Sequence, residues 1–164
     1  MNKILTILFL LSTVISCSSV STAPKNLDEI LDRAEATSSL SGRKILEASR
    51  AMISNKEIIV GGCWDYINTV YDRAGFLENQ RTTIFKSKLK GPYLKDIRLE
   101  PGDWLYYVNH SYSNTEHSAI FVAWTDEANH IALMISYLGE NKRKPAEYKR
   151  YKINNIYNVI RARD

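Results

Sequence analysis

Gly61-Gly62-Cys63-Trp64-Asp65-Tyr66, with Ile67 to Gly75 behind it, is the segment around which the rest of the chain falls into order. Two glycines end a short apolar, β-branched run, Ile58-Ile59-Val60, and a cysteine follows them. Apolar residues then recur at Tyr66, Ile67, Val70, Tyr71 and Ala74, the spacing of one helix face. Gly75 predicts the stop, because glycine readily takes the left-handed conformation that ends a helix. Cys63 therefore falls in the first turn. The unpaired N–H groups and the helix dipole at such a position favour an anion, and so a thiolate. With a base nearby, a thiolate there is a nucleophile. A free cysteine is also commonly a buried, inert side chain, and the segment alone leaves both readings open.

Downstream, Leu77 to Asp96 is polar and irregular, with Gly91-Pro92 as a turn; it reads as a long surface loop holding a short helix, of a length that often lines a substrate groove. Leu99-Glu100-Pro101-Gly102-Asp103 is a tight-turn signal. Aromatic and β-branched runs then predict strands over Trp104 to Asn109, His117 to Trp124, His130 to Tyr137, Tyr148 to Ile153 and Tyr157 to Arg163. Upstream, Asn26 predicts a helix cap with Glu29 as its capping-box partner, and Leu27, Ile30, Leu31 and Ala34 form one face. Ser38 to Gly42 breaks that pattern. A second helix is expected over Arg43 to Ser54, capped by Ser41. Helices first and hairpin-linked strands after them give an α+β class: N-terminal helices, the Cys-bearing one among them, on an antiparallel sheet of about five strands.

Met1-Asn2-Lys3 and the apolar run from Ile4 to Leu11 form a secretion signal, too short to span a membrane as a mature helix. Its end, Val14-Ile15-Ser16-Cys17, resembles a bacterial lipobox, in which the signal is cut before the cysteine and the cysteine is lipidated. The alternative is a plain secretory signal cut elsewhere, which leaves the protein secreted. The expected organisation is a signal over 1–16, lipidated Cys17 and a Ser/Thr-rich tether over 17–25, and one domain over 26–164. Two or three acyl chains hold a protein stably on a membrane. Ser18 beside the lipidated residue resembles a signal for the outer membrane, and the expected location is the bacterial cell envelope.

The chain has 164 residues and a net charge of +4; Lys3 is the only charged residue of the first sixteen, so losing them leaves +3. So small and dispersed an excess gives no nucleic-acid-binding face. The basic residues Lys142, Arg143, Lys144, Lys149 and Arg150 read as a solvated edge or loop. Cys17 and Cys63 could form one disulfide in an exported chain, but lipidation accounts for Cys17. Two cysteines and three scattered histidines form no ligand cluster, so no metal and no organic cofactor is expected.

A cysteine hydrolase needs a thiolate, an imidazole to accept and return a proton, and a polar group that fixes the imidazole's tautomer. His110 lies in a polar loop, and His130 sits beside a turn. His117 opens an apolar strand and shares its face with Ala119 and Phe121. That place suits a rigidly held base facing a cleft, or an ordinary structural histidine.

Together these segments resemble the NlpC-type papain-like cysteine peptidases, which cut peptide links in bacterial cell walls. Gly62-Cys63-Trp64-Asp65-Tyr66-Ile67 stands where the family has Asp-Cys-Ser-Gly-Leu-Val. Tyr71-Asp72-Arg73-Ala74-Gly75 resembles its Tyr-x-x-Ala-Gly. Leu99-Glu100-Pro101-Gly102-Asp103-Trp104-Leu105-Tyr106-Tyr107 matches Leu-x-Pro-Gly-Asp-Leu-x-Phe-Phe, and His117-Ser118-Ala119-Ile120-Phe121-Val122 matches His-Val-Gly-Ile-Tyr-x. The resemblance runs from Val60 to the C-terminus. It implies Cys63 as nucleophile, His117 as base and then acid, and Ser136 on the next strand in the place of the family's third polar residue; Ser136 also reads as an ordinary strand-end serine. It further implies an oxyanion site at the helix start, with Trp64 and Asp65 against the substrate. The family's Tyr-x-x-Gly-Gly segment has no counterpart, and Trp64-Asp65 replaces Ser-Gly. The implied function is hydrolysis of an amide, in peptidoglycan peptides, through a Cys63 thioester. The alternatives are a non-catalytic surface lipoprotein that binds wall or a protein partner, and an acyltransferase on the same scaffold.

Overall fold

The structure, a computed structural model, describes residues 26–95, 98–109 and 113–164. The expected signal, the lipidated Cys17 with its tether, and His110 lie outside the described residues. Three helices, α1 (Leu27–Thr37), α2 (Leu40–Ser54) and α3 (Cys63–Arg73), precede six strands: β1 (Arg81–Lys86), β2 (Trp104–Asn109), β3 (Thr115–Asp126), β4 (Ile131–Ser136), β5 (Glu147–Lys152) and β6 (Ile156–Ala162). All pairings are antiparallel, in the order β1-β6-β2-β3-β4-β5. The α+β class expected from the sequence is the one observed. Strands β2 to β5 follow one another as a meander. Strand β6 then returns across the sheet to lie between β2 and β1.

The sixth strand corrects the expected count of about five. Residues 81–86 sit inside the stretch read as a loop. β1 is an edge strand with Thr82, Thr83 and Lys86 exposed, so it lacks the continuous apolar run of the inner strands. A bulge at Ile84 further blurs its two-residue alternation.

The start of α2 is a second correction. The helix begins at Leu40 and is capped by Ser39, whose Oγ accepts from the Gly42 N–H at 3.1 Å. Ser41 and Gly42 are buried within its first turn rather than breaking it. A Cβ on Gly42 would stand 2.4 Å from the Pro101 carbonyl oxygen. The glycine is there for close approach of α2 to the Pro101-Gly102 turn, not for flexibility. At α1 the expected cap holds: Asn26 Oδ1 accepts from the Glu29 N–H at 2.8 Å.

The sheet has a buried layer on each face. On one, α1 to α3 cover Trp104, Ile120, Val122, Leu133 and Ile135. On the other, Leu105, Tyr107, Ala119, Phe121, Met134 and Val159 pack with Leu99, Ile153 and Ile156. Helix α3 buries Tyr66, Ile67, Val70 and Tyr71, four of the five positions its spacing indicated. Its end closes as expected. Gly75 has φ +90°, its N–H reaches the Asp72 carbonyl, and the Phe76 N–H reaches that of Tyr71.

The turn before β2 ties the layers together. The Asp103 carboxylate, 1% exposed, takes two hydrogen bonds from Arg161 of β6, at 2.7 and 2.8 Å, and one from the Glu100 N–H. Burial pushes the Asp103 carboxyl up while Arg161 pulls it down, and Asp103 in turn raises Arg161. The paired, two-pronged contact is that of ions. The Tyr71 hydroxyl donates to the Gly102 carbonyl at 2.7 Å and lies 3.2 Å from that of Ile160. One side chain of α3 thus meets both the turn and β6.

Candidate active site

The site is set by where α3 begins. The segment before it is pinned to the chain that leaves β4. The Ile59 N–H donates to the Tyr137 hydroxyl at 3.1 Å, that hydroxyl donates to the Ile59 carbonyl at 2.6 Å, and the Glu140 N–H reaches the Gly61 carbonyl at 2.9 Å. Tyr137 also stacks on Tyr66 of α3, with ring centroids 4.7 Å apart. The start of α3 consequently stands at the end of the sheet where β2 and β4 finish and β3 and β5 begin.

His117 and Ser136 occupy the same end. In the β3–β4 register Ala119 faces Ser136, which places His117 one pleat further along the same face. The small Ala119 side chain leaves room for the ring to lean across to β4. His117 Nε2 lies 3.0 Å from Ser136 Oγ. The other ring nitrogen, Nδ1, has no hydrogen-bond partner among the described residues. Ser136 is fully buried, and the Tyr151 hydroxyl of β5 approaches its Oγ at 3.4 Å. Tyr107 of β2, opposite His117 in the ladder, presents its ring edge-to-face at 5.8 Å and lies 6.3 Å from Tyr151. Burial lowers the pKa of His117 below its ordinary value, and the Lys149 charge lowers it further. The ring is therefore neutral near pH 7, with one nitrogen protonated and one free to accept.

Cys63 is half-buried and free. It opens the helix behind Gly62, whose N–H donates to Asp65 Oδ2 at 2.7 Å. Asp65 therefore caps the helix that carries the thiol. A Cβ on Gly61 would stand 2.2 Å from the same carboxylate oxygen, and Gly61 has φ +105°; only glycine fits there. As members of a first turn, the Cys63 and Trp64 N–H groups have no acceptor within the helix. The thiol has no hydrogen-bond partner among the described residues. Tyr107, which packs on His117, is electrostatically sensitive to Cys63. Burial raises that phenol first, then the neighbouring Tyr151, then a negative charge on Cys63. Tyr106 and Tyr157 also feel the Cys63 charge. Three tyrosines thus lie within electrostatic range of Cys63, and the ring of one of them, Tyr107, packs on His117.

Trp64 is 49% exposed and tilts against Trp104 at 5.8 Å. Beside it a cleft of about 390 Å³ runs between α3 and β1, with Glu78, Arg81 and Tyr106 in its walls. Two larger clefts, of about 470 and 540 Å³, lie at the far end of the sheet beside Trp124 and Glu127, away from the thiol and the imidazole. The clustering of Cys63 chemistry, not cleft size, selects the candidate site. His130 stands apart at that far end, with φ +57° in the turn before β4. Among the described residues no group of His, Cys, Asp and Glu could hold a metal ion, and no helix is long and apolar enough to cross a membrane.

Sequence reasoning placed Cys63, His117 and Ser136 by motif order, but it missed Tyr107 and Tyr151. Tyr107 was visible as one of two adjacent tyrosines on β2. Tyr151 was not, because the register of β5 depends on the charged loop before it.

Fold and site together define an α+β protein that carries a thiol-bearing helix tip and an imidazole–hydroxyl pair at one end of its sheet. Comparison with protein-family models, with curated proteins and with solved structures returns no match to this chain.

Proposed function

We propose that this chain is a thiol hydrolase of the NlpC-type papain-like kind, lipid-anchored through Cys17, that cleaves an amide in cell-wall peptides. The observation that carries the proposal is the 3.0 Å contact between His117 Nε2 and Ser136 Oγ at the sheet end where Cys63 opens α3. With Nε2 engaged by Ser136, Nδ1 is the ring nitrogen left to take a proton. In the reaction Nδ1 takes the Cys63 proton, and the thiolate attacks the amide carbonyl carbon. The first-turn N–H groups, that of Cys63 among them, meet the oxygen that gains charge. The imidazolium returns its proton to the departing amine, which leaves a Cys63 thioester. A water deprotonated by His117 then opens the thioester, and the acid product departs from a restored thiol.

Ser136 fixes the ring as the third group does in a triad, with a hydroxyl in place of a carboxylate or amide. Asp65 contributes by capping the helix, and Trp64 lines the cleft that would receive one arm of the substrate. The test is incubation of the chain with muropeptides beside Cys63→Ala. The proposal expects new peptide fragments from the parent and a loss of at least about a thousandfold in the variant, about 4 kcal/mol of barrier. Equal product from both removes Cys63 from the mechanism.

A second reading, a wall- or partner-binding lipoprotein that keeps the fold without catalysis, draws on one observation: the thiol has no hydrogen bond to His117. Catalytic contacts are often long before substrate binds, so the first reading stands ahead of it. Muropeptides retained intact by both proteins would reverse that order.

A further inference from the structure

We propose that Tyr151 is a positioning residue for His117, acting through Ser136: its hydroxyl engages Ser136 Oγ and thereby holds the imidazole in the tautomer protonated on Nε2. The inference rests on the catalytic reading above for its consequence, but its geometry stands on its own. A serine hydroxyl both donates and accepts. If Ser136 aims its O–H at His117 Nε2, the ring proton must sit on Nδ1, and Nδ1 then cannot take a proton from the thiol. If Ser136 aims its O–H elsewhere, Oγ accepts from Nε2–H and Nδ1 keeps its lone pair. An asparagine carbonyl or a carboxylate in this place would settle the choice, being acceptors only. A serine needs a second partner to settle it.

Ser136 is fully buried, and among the described residues its Oγ has two neighbours: His117 Nε2 at 3.0 Å and the Tyr151 hydroxyl at 3.4 Å. In the proposed arrangement Ser136 is the donor of the two hydroxyls and the Tyr151 oxygen accepts, which commits Oγ to accepting from the ring. The contact is longer than an ordinary hydroxyl–hydroxyl bond of about 2.5–3.0 Å and longer than that to His117 Nε2, so the proposal requires the two hydroxyls to close up as Ser136 donates. Tyr151 is held in place by its neighbours. It faces Ala132 in the β4–β5 register, and its ring lies 6.3 Å from that of Tyr107, which abuts His117. Imidazole, serine and the two tyrosines form one closed cluster.

The experiment is 15N spectroscopy of the full chain labelled at histidine, at pH 8, where the His117 ring is neutral. Wild type is expected to show the two limiting shifts of a ring fixed with its proton on Nε2. Tyr151→Phe removes one oxygen and is expected to move both shifts toward the averaged values of a ring sharing its proton between nitrogens. In a Ser136→Ala background the same substitution is expected to move nothing further. Averaged shifts in wild type overturn the proposal, and so do unchanged shifts in Tyr151→Phe or an equal change without Ser136. The wild-type spectrum decides by itself if the Phe variant does not fold. On muropeptides Tyr151→Phe is expected to lower kcat about tenfold with KM unchanged. Absence of turnover in wild type would count against the catalytic reading, while the nitrogen shifts would still decide the tautomer.

Discussion

His117 and Ser136 are held by strand register, whereas Cys63 is held by a helix tip and two loops that touch through glycines. On the sheet side, the partners of the imidazole among the described residues, Tyr107, Ser136 and Lys149, belong to β2, β4 and β5, and the ladder fixes which residues meet. On the helix side, the thiol's place depends on contacts of the Ile59 to Gly62 segment with Tyr137, Gly139 and Glu140. The contrast shows that the two halves fail by different routes. The sheet half is lost when the fold is lost. A substitution at the helix tip is expected to displace it while the sheet keeps its shape. It also explains why Asp65 is turned inward on Gly62: an exposed helix start needs its own carboxylate to hold it.

The largest effect should come from breaking what joins the halves. Asp103→Ala leaves Arg161 without its buried partner beside the turn that Tyr71 of α3 also grips. Arg161 is partly exposed and keeps its ion pair with Glu100 at 2.7 Å, so the expected loss in urea unfolding is about 2–4 kcal/mol. A loss under about 1 kcal/mol would mean that the turn is not the joint between helix layer and sheet. A smaller effect, confined to the tip, should follow Gly139→Ala. Gly139 has φ +94° and ψ 157°, and an added Cβ would lie 3.4 Å from the Gly61 carbonyl oxygen. The substitution is expected to cost about 1–3 kcal/mol and to cut activity while the His117 ring shifts stay as in wild type. Ring shifts that move together with activity would erase the distinction between the halves.

The smallest effect is a pH dependence on the sheet side. His117 has a lowered pKa in the folded chain, by burial first and Lys149 second, so the unfolded chain binds its proton more readily. Stability is then fully present above the ordinary histidine value of about 6.5 and declines as pH falls toward the lowered value. The slope for one proton is at most about 1.4 kcal/mol per pH unit. Comparison of urea midpoints for wild type and His117→Gln between pH 7.5 and 5 reads it, and the variant should lack that component. Parallel curves would place the ring in water instead.

Much of this was legible in the chain because some elements state their structure locally. Trp104 to Asn109 reads as a strand from its aromatic run and is one over those residues. Residues 66, 67, 70 and 71 mark the buried face of α3, and Gly75 marks its end. What failed did so for identifiable reasons. Strand β1 owes its existence to pairing with β6, residues distant in sequence, and its exposed Thr82 and Thr83 carry no core signal. Gly42 looked like a break because a glycine needed for close approach is indistinguishable, in sequence, from one needed for a bend. The hydroxyl cluster beside His117 needs the register of β5, which no local pattern specifies.

The central claim is that Cys63 and His117 work as a pair, and the most direct measurement is the rate at which iodoacetamide modifies Cys63 at pH 7, followed by peptide mass mapping in wild type and His117→Ala. If the imidazole takes the thiol proton, wild type should react about tenfold faster than the variant. Equal rates in the two proteins, or a Cys63 that is modified only after urea unfolds the chain, would contradict the pairing.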